Sequence, residues 1–197
     1  MRASSNAPAS DAPVLEWSVS RWFNTDIELS LASFRGRIVA LEAFQMLCPG
    51  CVTDGLPQAA RIRETFSSDE VAVVGLHTVF EHHDVMSPAA LEAFLHEYRV
   101  TFPVGVDAAG ESSVPVTMQR FELRGTPSLL LFDRAGRLRA RHFGHVSDLR
   151  VGAEIAHLLA EPGESLHAPT AESATASRGS GAAPCDSEGC EPRIPDR

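Results

Sequence analysis

The sequence predicts an α/β protein with a mixed central sheet flanked by helices. Two predominantly apolar runs, residues 38–44 and 71–77, are typical of strands buried in the middle of a sheet. A helix-like segment separates these runs, and strands and helices continue to alternate after them. Turn residues at 133–136 join two further strand-like segments, which indicates a hairpin at the end of the sheet.

The predicted elements follow one another as strand, helix, strand, helix, strand, helix, hairpin and helix. The first helix is expected to kink at Pro57, since proline has no backbone N–H to donate inside a helix. Ser87 is the predicted N-cap of the second helix, with Pro88 at its first position. In chain order, the predicted ranges are 38–44, 52–66, 71–77, 88–98, 102–106, 116–121, 128–132, 138–143 and 149–159.

Both ends of the chain are predicted to be disordered. Residues 1–13 lack large apolar side chains, and residues 161–197 are rich in Ala, Ser, Gly, Pro and Glu. Segments of this composition bury too little apolar surface to fold. One domain is therefore expected over residues 14–160.

Charge and composition exclude several classes of function. The 197 residues include 26 acidic and 17 basic side chains, and the net charge of −9 is the opposite of what binding to nucleic-acid phosphates requires. Every basic residue is Arg, which excludes Schiff-base chemistry on a Lys amine. No apolar run approaches the roughly 18 residues of a membrane span. We expect no nucleic-acid partner and no membrane span.

The N-terminal sequence and the cysteines both bear on the cellular compartment. The first residues contain no apolar segment of the secretory type, so the cytoplasm is the expected location. In a reducing compartment, cysteines serve catalysis or metal binding more often than structural disulfides. The four cysteines form two pairs, Cys48 with Cys51 and Cys185 with Cys190.

The motif Cys-Pro-Gly-Cys, residues 48–51, lies between the first buried strand and the following helix. Backbone N–H groups and the helix dipole at such a position lower the pKa of the leading thiol, Cys48. The spacing also lets the two sulfurs cycle between dithiol and disulfide. The alternative is half of a zinc site, which needs two further ligands; His77 and His82 are candidates, but they follow a whole helix and strand later. We expect a redox pair, with no bound metal or other cofactor.

The chain resembles the TlpA/ResA-like redoxins, which have the thioredoxin fold. The resemblance covers about residues 14–160 and rests on residues 29–36, on the Cys-Pro-Gly-Cys motif and on Arg124-Gly-Thr-Pro127. It implies that Pro127 is cis beside the disulfide and that the Thr126 backbone pairs with a substrate chain. An ordinary trans proline at the start of a strand is the alternative. Where the family usually has Trp before the first cysteine, this chain has Leu47.

Glu42 lies six residues before the first cysteine, where thioredoxins carry a buried acid. It shares one face of an apolar strand with Ile38 and Phe44, so we expect it to be partly desolvated, with a raised pKa. A carboxyl group of this kind can take the proton of Cys51, the resolving thiol. The alternative is a carboxylate that reaches solvent at a sheet edge or pairs with an Arg.

Histidines and acids cluster after the second buried strand. Because ligands gather at the carboxyl ends of strands in open α/β sheets, we expect this cluster to border the cysteine motif, with His77 as an accessory residue. Imidazoles there can bias the charge of a thiolate or bind copper together with the cysteines. A solvated polar loop is the commoner case. The residues are His77, Glu81, His82, His83 and Asp84.

Three functions follow from these residues. The first is a thiol-disulfide oxidoreductase, in which Cys48 attacks a protein or small-molecule disulfide, Cys51 resolves the product, and a thiol donor supplies electrons. The second is a thiol peroxidase, since residues 48–51 followed by Leu56-Pro57 are similar to the Thr-Pro-Gly-Cys turn and trailing Leu-Pro of some peroxiredoxins; Cys51 then reacts with peroxide. The third is a copper- or zinc-binding module.

The second cysteine pair, Cys185 and Cys190, lies in the predicted tail. A flexible chain of about 25 residues spans on the order of 25 to 30 Å, enough to reach across a domain of this size. A tethered thiol pair has a high effective concentration, so it can reduce the disulfide of the first pair as a built-in shuttle. Two incidental or weakly metal-binding thiols are the alternative.

Overall fold

The computed structural model describes residues 15–162. The chain divides into two units, residues 1–164 and 165–197, and every described residue belongs to the first. The predicted disordered ends, 1–13 and nearly all of 161–197, lie outside the described residues. At the end of the described range Glu161 forms an ion pair with Arg139, so the folded part includes at least this first residue of the predicted tail.

The described residues form six strands, four α-helices and two short helical turns. The turns are a 3-10 turn at Leu31–Phe34 and a π-helical turn at Cys51–Gly55. The helices are α1 (Leu56–Thr65), α2 (Pro88–Glu97), α3 (Val116–Arg120) and α4 (Asp148–Ala160). The strands are β1 (Val19–Phe23), β2 (Ile38–Phe44), β3 (Val71–His77), β4 (Val104–Asp107), β5 (Ser128–Phe132) and β6 (Leu138–Phe143). None of the described helices is long and apolar enough to cross a membrane.

The six strands form one mixed sheet in the order β1-β4-β3-β2-β5-β6, which confirms the predicted fold class. β2, β3 and β4 are parallel, whereas β1 is antiparallel to β4, β5 to β2 and β6 to β5. Every residue of β2 and β3 is buried, as predominantly apolar runs predict for strands covered on both faces. The C-terminal end of β2 therefore leads from the centre of the sheet into the cysteine motif.

The core lies on both faces of the sheet. On one face, alternate residues of β2 (Ile38, Ala40 and Phe44) pack with side chains of α1, α2 and α4. On the other face, the intervening residues pack against α3 and the segment around Trp17. Because side chains alternate along a strand, Glu42 belongs to the face that α1 covers.

Most predicted elements lie within one or two residues of their observed bounds, and three features differ. β1 has no predicted counterpart, because its sequence Val-Ser-Arg-Trp-Phe does not alternate regularly and a bulge interrupts its pairing with β4. The 3-10 turn at Leu31–Phe34 is also absent from the prediction. The kink expected at Pro57 is instead a π-helical turn that ends at Gly55, and Pro57 follows it as the second residue of α1.

Candidate active site

The two cysteines of the motif form a disulfide at the start of the π-helical turn. Cys48 and Cys51 have Cα atoms 5.2 Å apart, within the usual range for a disulfide. The Cys48 N–H donates to the Gln45 carbonyl, which ties the motif to the end of β2. The N–H groups of Cys51 and Val52 both donate to the Cys48 carbonyl, so Cys48 begins the first helical turn. The redox pair expected from the spacing is therefore present in its oxidised form.

The two sulfurs have different surroundings. Cys51 is fully buried, with 0% of its surface exposed, whereas Cys48 is half-buried between the exposed residues Leu47 and Pro49. The Cys51 N–H also donates to the Cys48 Sγ at 3.2 Å. A backbone donor at a helix start stabilises negative charge on the sulfur that it contacts and lowers the pKa of a free thiol there. The accessible sulfur is thus the one that accepts a backbone hydrogen bond.

A loop with a cis proline lies against the disulfide. The Thr126-Pro127 bond is cis, as the family resemblance implies. The Thr126 carbonyl oxygen lies 3.5 Å from the Cys48 Sγ, and a Cβ added at Gly50 would lie 3.3 Å from Pro127 Cδ. Both Thr126 and Pro127 are half-buried, so the loop borders the accessible sulfur without covering it.

Glu42 is buried behind the disulfide. It is only 2% exposed, and its Oε1 has no hydrogen-bond partner among the described residues. Burial raises the pKa of the Glu42 carboxyl to about 8, which confirms the predicted direction. Glu42 pairs with Gly75 on one side and Leu129 on the other, so the carboxyl group is not at a sheet edge.

The Glu42 carboxyl fits into space left by a glycine of the motif's own helical turn. A Cβ added at Gly55 would collide with Glu42 Oε1 and would lie 3.0 Å from Pro127 Cβ. Gly55 lies four residues after Cys51, in the same π-helical turn. The carboxyl group, the buried cysteine's helical turn and the cis proline therefore share one compact region below the accessible sulfur.

His77 lies at the same end of the sheet, in a separate environment from the rest of its predicted cluster. It is 1% exposed and packs on Phe44 with a ring distance of 5.3 Å, and its Nε2 has no hydrogen-bond partner among the described residues. Burial lowers the pKa of His77 to about 4, so the imidazole is neutral at neutral pH. His82 and His83 are exposed in the following loop.

The structure does not bring the cluster together as a metal site. Within residues 15–162, no group of three or more His, Cys, Asp or Glu side chains is arranged to hold a metal ion. The second cysteine pair, Cys185 and Cys190, lies outside the described residues.

Sequence reasoning missed two residues of this site. Gln45 is 1% exposed, and its side-chain amide accepts a hydrogen bond from the Phe80 N–H and donates one to the Glu81 carboxylate. Its backbone carbonyl accepts the hydrogen bond from the Cys48 N–H. It thus joins the motif to the loop after β3. The available signal was a polar residue between a buried strand and the cysteine motif. Gly55 was missed because its role depends on the Glu42 side chain, which only the tertiary structure places beside it.

Solved structures of other proteins agree with the fold and the site geometry described above. The sequence matches no protein-family model and no curated protein. Among solved structures, the chain is similar to a thioredoxin-like superfamily protein, at 57% identity and a TM-score of 0.75, over 76% of this chain and 97% of that one. It is 48% identical to a thiol-disulfide isomerase from Corynebacterium glutamicum, with a TM-score of 0.74, over 77% of this chain and 99% of that one.

A more distant match shares the fold alone. StoA from Bacillus subtilis is 22% identical, with a TM-score of 0.54, over 70% of this chain and 98% of that one. The two matches of higher identity extend over nearly the full length of those two proteins. They place the chain in a family: it belongs to the thioredoxin-like thiol-disulfide oxidoreductases, as its resemblance to the TlpA/ResA-like redoxins implies.

Proposed function

We propose that the protein reduces disulfides, with Cys48 as the attacking thiol and Cys51 as the resolving thiol. The observation that carries this assignment is the difference in burial between the two sulfurs: Cys48 is accessible, and Cys51 is fully buried. An attacking thiolate has to approach a sulfur of another molecule, whereas a resolving thiol only has to reach its neighbour. The hydrogen bond from the Cys51 N–H to the Cys48 Sγ supports the same assignment.

The reaction transfers two electrons and two protons in two exchanges. The Cys48 thiolate attacks one sulfur of the substrate disulfide, forms a mixed disulfide, and releases the other substrate sulfur as a thiolate that takes up a proton. Cys51 then loses its proton and attacks the Cys48 Sγ, which re-forms the Cys48-Cys51 disulfide and releases the second substrate thiol. The substrate is reduced, and the enzyme must be reduced again by a thiol donor.

Glu42 is proposed to accept the proton of Cys51 in the second exchange. Because burial raises the pKa of the Glu42 carboxyl to about 8, its ionised form is a far stronger base toward a thiol proton than an ordinary carboxylate. At neutral pH a minor fraction of Glu42 is ionised and able to act as the base. In the reverse direction, when a donor opens the disulfide, the protonated carboxyl group can return a proton to the Cys51 thiolate.

A disulfide in a protein or a small molecule is the proposed substrate. The similarity to the thiol-disulfide isomerase from Corynebacterium glutamicum supports disulfide substrates and a thiol-based redox partner. The backbone of Thr126, beside the accessible sulfur, is proposed to pair with a substrate chain. The burial of Cys51 does not favour the peroxidase alternative, because a peroxide would have to reach this sulfur.

Turnover with a protein disulfide and with hydrogen peroxide tests the proposal. The wild-type protein should reduce insulin disulfides in the presence of an external thiol, and Cys48→Ser should be inactive. A double variant, Cys185→Ser with Cys190→Ser, is the matched control: it removes two thiols outside the Cys48-Cys51 motif, and because the external thiol supplies the electrons, it should keep the wild-type rate. Peroxide consumption that persists in Cys48→Ser and disappears in Cys51→Ser would instead establish the peroxidase.

Two further hypotheses rest on the sequence alone. The cytoplasmic location stays a prediction. The proposed shuttle through Cys185 and Cys190 also stays a prediction, since both residues lie outside the described part of the chain.

A further inference from the structure

An open groove runs along the outer face of α1. It has a volume of about 470 Å³, within the range of sites that bind ligands in proteins. Leu56, Pro57 and Ala60 form the side contributed by the helix. Val100 and Phe102, in the segment between α2 and β4, contribute to the opposite side. Neither the fold nor the proposed reaction requires an open apolar groove here.

The groove begins next to the redox site. Val52, at its head, directly follows Cys51, and the Val52 N–H donates to the Cys48 carbonyl at 3.2 Å. The lining residues continue along the helix to Glu64. The twelve helical steps from Val52 to Glu64, at about 1.5 Å each, correspond to about 18 Å, the length of five or six residues of extended chain. A polypeptide whose cysteine lies at Cys48 can therefore continue into the groove.

The charges at the groove favour an acidic occupant. Two Arg residues, Arg63 and Arg99, and a single acidic residue, Glu64, line it, in a protein whose net charge is −9. Within the described part of the chain, none of these three side chains forms an ion pair. Arg63 donates to Thr101 Oγ1 at 3.3 Å across the groove, which orients its guanidinium group.

An aromatic ring extends the apolar surface of the groove. Tyr98 is 55% exposed, and its ring stacks on Phe94 with the ring centres 4.3 Å apart. Such a supported ring offers contact area at little cost in conformational entropy. The groove thus combines apolar side chains along its length, one exposed aromatic ring and an excess of positive charge.

We propose that this groove binds an extended, apolar and acidic segment of a disulfide-bearing polypeptide, next to the cysteine that Cys48 attacks. The inference rests on the proposed function and specifies the substrate: a polypeptide disulfide with an acidic flanking segment, preferred over a small disulfide. The backbone of Thr126 borders the sulfur, and the groove adds a second contact further along the substrate chain.

Synthetic disulfides test this proposal. The probes are peptides with one cysteine, joined by a disulfide to 2-mercaptoethanol, whose five residues before or after the cysteine are apolar with one Glu. Matched peptides carry Gln or Lys in place of that Glu, and bis(2-hydroxyethyl) disulfide has no peptide chain. We expect kcat/KM to be highest for the Glu peptide on one side of the cysteine and at least fivefold lower for the Lys peptide.

Two variants of the groove and one control variant complete the test. Ala60→Trp, which fills the groove, should lower kcat/KM for the Glu peptide about tenfold or more and change that for bis(2-hydroxyethyl) disulfide less than twofold. Ala156→Trp, at an exposed alanine of α4, is the matched control and should change neither value. Arg63→Glu should reverse the preference between the Glu and Lys peptides, which gives a readout that does not depend on Ala60→Trp folding.

The possible results distinguish a failure of the groove proposal from a failure of the proposed disulfide reductase function. An equal loss on peptide and small disulfides in Ala60→Trp, or no loss on either, would overturn the groove proposal while leaving the reductase intact. So would a charge preference that Arg63→Glu does not alter. If the wild-type protein reduces none of the probes, it is the proposed function that fails.

Discussion

Replacing Glu42 with glutamine should make the oxidised protein more stable, and the gain should increase with pH. The folded protein keeps this carboxyl group protonated up to about pH 8, whereas the unfolded chain ionises it near 4.5. Between these values the folded state binds one more proton than the unfolded state, so the free energy of unfolding of the wild type decreases as the pH rises. Glutamine has no proton to lose, so the variant escapes this decrease.

The magnitude follows from the pKa difference. Each pH unit between 4.5 and 8 costs the wild type about 1.4 kcal/mol, which amounts to about 3 kcal/mol at pH 7, about 4 kcal/mol at pH 8 and about 5 kcal/mol well above pH 8. With a urea m-value of about 2 kcal/mol per molar, the growth of this difference between pH 5 and pH 7, about 2.5 kcal/mol, separates the two unfolding midpoints by about a further 1.2 M.

Urea unfolding of both oxidised proteins at pH 5, 6, 7 and 8 measures this effect. The difference near pH 5 gives the baseline for the changed packing, and only its growth with pH reports the carboxyl group. Glu64→Gln, at an exposed position of α1, is the matched control and should show no growth. A difference between wild type and Glu42→Gln that stays constant from pH 5 to 8 would refute the buried, protonated carboxyl group.

Three further results are expected. His77→Leu should make the protein less sensitive to acid. The unfolded chain protonates this histidine below about pH 6.5, whereas the folded protein protonates it only below about pH 4. The free energy of unfolding of the wild type, but not of the variant, should therefore decrease by about 3 kcal/mol as the pH falls through that window. Gly55→Ala should lower the free energy of unfolding in urea by about 1 to 3 kcal/mol, because the added Cβ collides with the Glu42 carboxyl group. Gly152→Ala is the control: no atom lies close to the added Cβ in α4, so it should raise the free energy of unfolding by about 0.5 to 1 kcal/mol. Glu42→Gln should slow resolution of the mixed disulfide about tenfold at pH 7 in single-turnover kinetics. A general base accelerates such a proton transfer about 100-fold, and roughly a tenth of the Glu42 carboxyl groups are ionised at this pH. The initial attack by the thiolate should keep its rate.

Much of the fold was predictable because its central strands are almost entirely apolar, with Glu42 in β2 and His77 in β3 as the polar exceptions. β2 and β3 lie within the predicted ranges, since only strands covered on both faces carry such runs. β1 was not predictable from its pattern, because an edge strand with a bulge alternates irregularly. The π-helical turn before Pro57 also has no local signal, since proline in a helical segment is equally consistent with a kink.

The site divides in the same way into local and tertiary features. The cysteine spacing and the position of Glu42 on an apolar strand are local, and both predictions, a redox disulfide and a raised pKa, are confirmed. The cis form of Pro127 was inferred from family resemblance and is also confirmed. Gln45, Gly55 and the groove along α1 depend on side chains brought together from distant parts of the chain. No periodicity or motif identifies such contacts.

Trapping the mixed disulfide tests the central claim, the division of roles between Cys48 and Cys51, most directly. In a background with Cys185→Ser and Cys190→Ser, each site cysteine is replaced by serine in turn, and the reduced variant is mixed with insulin as the disulfide substrate. Intact-mass spectrometry should show Cys51→Ser carrying one covalently attached substrate chain through Cys48, because no thiol remains to release it. Cys48→Ser should carry none. An adduct that forms through Cys51 in Cys48→Ser, and not through Cys48 in Cys51→Ser, would contradict the assignment.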